Sequence, residues 1–106
     1  VPIPYTFDVL GAFPHMHLLG TGYRMMVQKS DEDVCVVESD TYSFDNQHMY
    51  QFHEPVQIDA LDLVTMECTW NNSTSNPDLI HDPPIDIGYG ERTDEEMCFA
   101  FILAAF

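Results

Sequence analysis

Short apolar segments separated by turn residues recur along most of the chain, and none shows the spacing of a convincing amphipathic helix. Alternating apolar and polar side chains, with Gly, Pro, Asn and Asp at regular intervals, are typical of strands packed in a β-sandwich. The predicted strands are residues 5–10, 13–19, 23–28, 34–38, 48–52, 56–58, 63–70 and 97–106. The sequence therefore predicts an all-β fold in which residues 1–106 form a single domain.

Several segments add detail to this pattern. Residues 1–4 contain two prolines, which cannot donate to a central ladder, so we predict an extended segment at a sheet edge. Residues 11–12 predict a break in the chain, and residues 20–22 predict a turn. Residues 71–92 are polar and proline-bearing and predict one long connection. Residues 97–106 are almost wholly apolar, which predicts a strand buried on both faces.

The charge balance excludes several classes of partner. The chain carries 3 Lys and Arg against 18 Asp and Glu, a formal net charge of −15 with neutral histidines. Nucleic acids and anionic bilayers attract basic patches, and the cations here are only Arg24, Lys29 and Arg92. No stretch approaches the ~20 apolar residues that cross a bilayer. We therefore expect no nucleic-acid partner and no membrane span.

Two segments carry candidate metal chemistry. His15-Met16-His17 places two imidazoles one residue apart, and on an extended strand both would project from the same face. Imidazole suits copper, and the soft thioether of Met97 favours Cu(I) over harder ions. The acids at residues 94–96 could instead host Ca²⁺, but three adjacent side chains on a strand cannot all face one ion. The sequence favours copper.

A wider set of segments carries a resemblance to a known family. The segments are residues 15–20 (HMHLLG), 22–24 (GYR), 50–56 (YQFHEPV), 62–64 (DLV), 67–72 (ECTWNN) and 90–98 (GERTDEEMC). In this order they resemble the C-terminal domain of the copper type II, ascorbate-dependent monooxygenases. The resemblance extends from about residue 13 to about residue 103, and a His-x-His pair alone would be too weak to support it.

The resemblance implies a fold and a site. The fold is an antiparallel, jelly-roll-like β-sandwich that brings the histidine and methionine strands together. His15, His17 and Met97 would form the centre where one copper ion, cycling between Cu(I) and Cu(II), binds oxygen and a substrate is hydroxylated. Ascorbate would be the external reductant, and Cys68 and Cys98 would form a disulfide.

The length of the chain limits what it can do alone. In this family a separate copper domain delivers an electron, and 106 residues have room for one domain. Hydroxylation is therefore expected only if another chain or a further segment supplies an electron-delivering copper domain. Two alternatives remain open: copper capture or transfer without catalysis, and a structural module that assembles into a homo-oligomer through edge strands.

Three aromatic residues stand where the resemblance implies polar substrate anchors. The family's peptide-processing enzymes have arginine, asparagine and tyrosine at the positions of Phe13, Phe99 and Phe101. A substrate carboxylate would find no partner there, so we expect any substrate to be apolar or aromatic. The same phenylalanines could instead pack against another subunit.

The cysteines bear on localisation. Disulfides persist in oxidising compartments, so the implied bridge predicts a secreted, extracellular or periplasmic protein. The chain opens at Val1 without a signal-peptide pattern, which indicates a processed chain or an excised piece.

Cys35 lies in a β-branched run and is predicted to be a buried, inert thiol. Asn71 and Asn72 begin overlapping glycosylation sequons.

Three further histidines have a default structural interpretation. His48 and His53 lie in or beside a predicted strand, and His81 lies in the long connection. We expect surface or hydrogen-bonded roles for all three. His81 is the best outside candidate for an additional ligand, because loops can bend toward a partly open site.

Overall fold

The computed structural model describes residues 6–105, which form six β-strands and one short 3₁₀ turn. The extended segment predicted at residues 1–4 lies outside the described residues. No helix in the described part of the chain is long and apolar enough to span a membrane. The elements are β1 (Phe7–His15), β2 (Gly20–Gln28), β3 (Asp33–Ser39), the 3₁₀ turn (Phe44–Asn46), β4 (Tyr50–Ile58), β5 (Leu63–Trp70) and β6 (Phe99–Ala105).

The strands of residues 6–105 form two three-stranded antiparallel sheets, ordered β4-β1-β6 and β3-β2-β5. Along β2, Tyr23, Met25 and Val27 are buried, whereas Arg24 and Gln28 are exposed, because successive side chains point to opposite faces. The core contains Val9, Met25, Val27, Val36 and Ile58. The all-β sandwich predicted from the sequence is confirmed.

β1 runs without interruption through residues 11–12, so the predicted break is wrong. A Cβ on Gly11 would lie 2.6 Å from the carbonyl oxygen of Tyr50 on β4, which only glycine avoids. The register of β1 with both neighbouring strands shifts between Val9 and Gly11, as at a β-bulge. The glycine therefore permits close strand pairing and does not end the strand.

The turn predicted at residues 20–22 is also wrong, since these residues open β2 and pair with β5. The chain turns one step earlier, at residues 18–19. A Cβ on Gly22 would lie 2.9 Å from the carbonyl oxygen of Ser39, at the end of β3. As in β1, glycine here marks a close approach between strands.

The strands predicted at residues 48–52 and 56–58 are one strand, β4. The residues between the two predicted strands, 53–55, include Pro55, which cannot donate a hydrogen bond to a ladder. In the described sheet β4 pairs only with β1, and an edge strand tolerates proline. The bounds predicted for β5, residues 63–70, agree with the structure.

The prediction that the final strand is buried on both faces is wrong. β6 starts at Phe99 and is an edge strand that pairs with β1. Its middle residues Phe101, Ile102 and Leu103 are 61%, 38% and 47% exposed. The middle of the apolar run therefore lies largely at the surface of the described structure.

Cys35 is exposed, and its predicted burial is wrong. It lies on β3, at the edge of the other described sheet, and its neighbour Val36 takes the inward position. Partial desolvation raises the pKa of the Cys35 thiol, which keeps the reactive thiolate scarce near neutral pH.

The long connection predicted over residues 71–92 is confirmed, since β5 ends at Trp70 and β6 begins at Phe99. The Cys68–Cys98 disulfide is present and joins β5 to the residue before β6. An isolated parallel bridge between Tyr89 and Glu96 organises the end of the connection. These links place residues 95–98 beside the end of β1.

Candidate metal centre

The two predicted histidine ligands lie side by side at the end of β1. His15 is the last residue of the strand, and His17 lies beyond it, so the expectation that one strand carries both is wrong. The chain turns immediately afterwards, where the N–H of Gly20 donates to the carbonyl of His17 at 3.1 Å. The ring centroids of His15 and His17 are 5.1 Å apart with the planes at 84°.

Hydrogen bonds hold both imidazoles in the same tautomer. His15 donates from Nδ1 to Oε1 of Gln47 at 2.7 Å, and the Gln47 amide is oriented by its own bond to the Phe44 carbonyl at 2.9 Å. His17 donates from Nδ1 to the carbonyl of Glu95 at 3.0 Å. Because Nδ1 carries the proton in each neutral ring, Nε2 keeps a free lone pair. This is the tautomer of a ring that ligates a metal through Nε2.

Tyr42 fixes the residue between the histidines. Its hydroxyl donates to the Met16 carbonyl at 2.6 Å and accepts from the Met16 N–H at 3.0 Å. Met16 is fully buried, so this hydroxyl satisfies a peptide unit that lies away from water. Burial raises the pKa of the Tyr42 hydroxyl, which therefore keeps its proton and its donor role.

Glu96 connects the histidine segment to the methionine segment. Its buried carboxylate accepts from the His17 N–H at 3.0 Å and from the Leu19 N–H at 2.9 Å. It also accepts from the indole N–H of Trp70 at 2.6 Å. Hydrogen bonds to an ionised acceptor are among the stronger ones in proteins, so one side chain holds three parts of the fold together.

The three acids considered for calcium have different partners. Asp94 pairs with Arg92 at 2.6 Å, and Glu95 accepts from the Arg92 N–H at 3.3 Å. Glu96 is occupied by the three donors described above. In the described part of the chain, no cluster of three or more His, Cys, Asp or Glu side chains is arranged to hold a metal.

Met97 is half-buried in the segment that lies against His17. Both residues before it hydrogen-bond His17, and Cys98 after it is held by the disulfide. The register of β1 and β6 pairs His15 with Phe99, which is two residues after Met97. The backbone therefore brings all three predicted ligands to one end of the β1–β6 pair.

Aromatic rings surround the histidine pair. Phe99 lies 5.0 Å from His15 between ring centroids, and Phe44 lies 5.9 Å from His17. Phe101 extends the group along β6, with its centroid 5.1 Å from that of Phe99. The half-buried Phe13 pairs with Phe101 across the strands. The three phenylalanines at the anchor positions thus form an apolar surface that begins at His15.

The three remaining histidines, His48, His53 and His81, differ in how far they are exposed to solvent. His48 and His53 are exposed, and the ring of His48 contacts Tyr50. His81 is half-buried in the long connection. The glycosylation candidates lie in the same connection, where Asn71 is half-buried and hydrogen-bonds Ser75, and Asn72 is exposed.

Sequence reasoning missed four residues that organise this site: Phe44, Gln47, Tyr42 and Glu96. The first three lie in or near the 3₁₀ turn, which approaches β1 only in the folded chain. Glu96 was noticed only as part of an acidic run. Its position beside Met97 was the one available signal, since a carboxylate next to a ligand can hold a second-sphere contact.

Comparison with known families adds one match. A family model described as the C-terminal domain of copper type II ascorbate-dependent monooxygenase matches residues 3–104. No curated protein matches the chain significantly.

Proposed function

Because the chain belongs to the copper type II, ascorbate-dependent monooxygenase family and matches its C-terminal domain, we propose that it binds one copper ion through His15, His17 and Met97. The observation that carries the proposal is the shared tautomer of the two imidazoles, whose Nδ1 atoms both donate to oxygen. Both Nε2 lone pairs are left for a metal, and the thioether of Met97 adds the soft donor that Cu(I) prefers.

Bound copper would supply one-electron chemistry with dioxygen at this site. Hydroxylation of a C–H bond consumes one dioxygen, two electrons and two protons and yields the alcohol and water. Ascorbate would be the outside source of the electrons, delivered through a copper domain on another chain or segment. The residues described here would orient the imidazoles, through Gln47 and the Glu95 carbonyl, and limit water through Phe44 and Phe99.

The substrate of such a reaction would be apolar or aromatic. At the three anchor positions, Phe13, Phe99 and Phe101 carry no cationic, amide or hydroxyl group that could bind a carboxylate. Phe101 is mostly exposed, so the apolar surface is accessible from solvent in the described chain. The disulfide supports a secreted, extracellular or periplasmic location for the protein.

An anaerobic Cu(I) titration against a chromophoric chelator tests the proposal. Tight one-to-one binding should be lost in the His15→Ala/His17→Ala variant and kept in His53→Ala, which removes an exposed imidazole elsewhere on the protein. Binding that is equal in the native protein and the double variant would overturn the copper site. Binding without turnover, when an electron-delivering domain and an apolar substrate are supplied, would favour copper capture or transfer over catalysis.

A structural role has its own supporting observation. β6 presents an unpaired edge in the described sheet, with exposed Phe101, Ile102 and Leu103. A second copy could pair with this edge and extend the sheet. Sedimentation at several concentrations, with and without a copper chelator, would separate this role: concentration-dependent size that chelation leaves unchanged would support homo-oligomer assembly.

A further inference from the structure

A cavity of about 440 Å³ lies beside the candidate metal centre but is separate from the histidine pair. Neither His15 nor His17 lines it, whereas the buried Glu96 does. Its remaining walls come from the last residue of the turn after β1, the end of β5, and both the start and the last part of the long connection. The copper proposal assigns no role to this cavity.

The walls of the cavity are aromatic and aliphatic. Trp70 and Tyr89 line it and are 43% and 72% exposed, and Ile87 and Leu19 complete the apolar surface. Gly88 lines it too, and a Cβ there would meet nothing within 4 Å. Two large aromatic side chains are thus left uncovered around open space.

The charged residues of the cavity are both acids, Asp86 and Glu96. The three donors that hold Glu96 are neutral N–H groups, so its negative charge has no cationic partner among the described residues. The lysine and arginines are engaged elsewhere, in the pairs Arg24–Glu38, Lys29–Asp59, Lys29–Asp62 and Arg92–Asp94. None of these described cations lies beside the two carboxyl groups of the cavity, so a cationic ligand would meet only attractive charge there.

We propose that the Trp70–Tyr89 cavity binds the ammonium group of a small organic cation. A cation over the face of an indole or phenol ring is attracted by the negative charge density of that face, and a nearby carboxylate adds to this attraction. A hard metal ion fits less well, because Ca²⁺ needs about six to eight oxygen ligands. Here Asp86 is the one cavity carboxylate without bound N–H donors, and the walls are apolar.

Trp70 is the single tryptophan of the chain and reports directly on the cavity. Its fluorescence should be titrated in the metal-free protein at constant ionic strength with choline and with 3,3-dimethyl-1-butanol, which has the same shape without the charge. Choline should give a saturable change and bind about tenfold or more tighter than the neutral alcohol, a difference of about 1.4 kcal/mol. Because copper is absent, the result does not depend on the copper proposal.

Variants separate the cavity from the general acidity of the protein. Asp86→Asn and Tyr89→Ala should each weaken choline binding several-fold while retaining the native circular dichroism spectrum. Asp31→Asn removes the same charge from an exposed turn and should leave binding unchanged. No saturable response, equal binding of the neutral alcohol, or equal losses in Asp31→Asn and Asp86→Asn would each overturn the proposal.

Discussion

The hydroxyl of Tyr42 exchanges two hydrogen bonds with the peptide unit of Met16, donating to its carbonyl and accepting from its N–H. Met16 is the residue between the two histidines, and it is fully buried. β1 ends at His15, so the backbone of Met16 is not paired with a neighbouring strand. The Tyr42 hydroxyl supplies the hydrogen bonds that strand pairing would otherwise have given it. The contact thus holds the backbone between His15 and His17.

Tyr42→Phe should lower the free energy of unfolding by about 1–3 kcal/mol, because the Met16 N–H and carbonyl would stay buried without partners. It should also weaken Cu(I) binding, since the backbone between the ligands is no longer held. Urea unfolding and chelator competition would measure the two effects. Tyr89→Phe, which removes a hydroxyl from an exposed side chain, is the control, and equal behaviour of both variants would contradict the role given to Tyr42.

Glu96→Gln should destabilise the fold and, with it, the proposed copper site. The amide keeps the shape of the side chain, but its nitrogen cannot accept, so at least one of the N–H groups of His17, Leu19 and Trp70 loses its acceptor. The expected loss is about 1.5–3 kcal/mol, the range for a hydrogen bond to a charged group. Chemical unfolding monitored by Trp70 fluorescence measures it. Glu91→Gln, at an exposed residue, should be close to neutral.

Met97→Leu should weaken Cu(I) binding more than Cu(II) binding, because only the softer ion depends on sulfur. Leucine has nearly the same volume, so the cost in folding stability should be below about 1.5 kcal/mol. Parallel titrations with each oxidation state give the comparison, and Met26→Leu on β2 is the matched control. Equal losses for both ions would remove the thioether from the ligand set.

The stability contributed by Asp62 should disappear in acid. Its hydrogen bond with the Lys29 ammonium, and a second one from the Asp59 N–H, lower the pKa of Asp62 below the usual carboxyl range. Because the pKa is lower in the folded state, the contribution is complete above the unfolded value of ~3.9. It is lost as the pH falls through the lower folded value.

Asp62→Asn should therefore have a lower Tm than the native protein at about pH 7, and the difference should shrink below about pH 4. Thermal unfolding followed by circular dichroism across this range measures the difference. Asp31→Asn, at an exposed turn residue, should show no comparable dependence on pH. A difference that stays constant with pH would mean that Asp62 acts through packing and not through its charge.

The sequence predicted the sandwich and most strand positions because apolar alternation and turn residues act locally. The predictions were wrong where the same local sequence pattern is compatible with two different structures. Gly11 and Gly22 were taken as breaks, although they allow neighbouring strands to approach. The apolar residues of β6 and the Cys35 run indicated burial, but both lie on edge strands, and strand order cannot be seen in periodicity.

In the candidate site too, some residues could be predicted from the sequence and others only from the folded structure. His15, His17 and Met97 could be proposed from residue type and family resemblance, and the Cys68–Cys98 pairing implied by that resemblance is confirmed. The ligand assignment itself stays a prediction. Gln47 could not have been foreseen, because its contact with His15 joins residues 32 positions apart through a turn without a recognisable motif.

The two ends of the sandwich are stabilised by different kinds of interaction, a disulfide at one end and ion pairs at the other. At the end that carries His15 and His17, the Cys68–Cys98 bond joins β5 covalently to the residue before β6. At the opposite end, the Lys29 ammonium after β2 forms hydrogen-bonded ion pairs with Asp59 and Asp62 in the loop between β4 and β5. Acid protonates the carboxylates and weakens the Lys29 ion pairs, but it leaves the Cys68–Cys98 disulfide intact. At low pH the protein should therefore unfold locally first at the end that contains Lys29. Backbone amides near Lys29 should then exchange with deuterium before those beside His17.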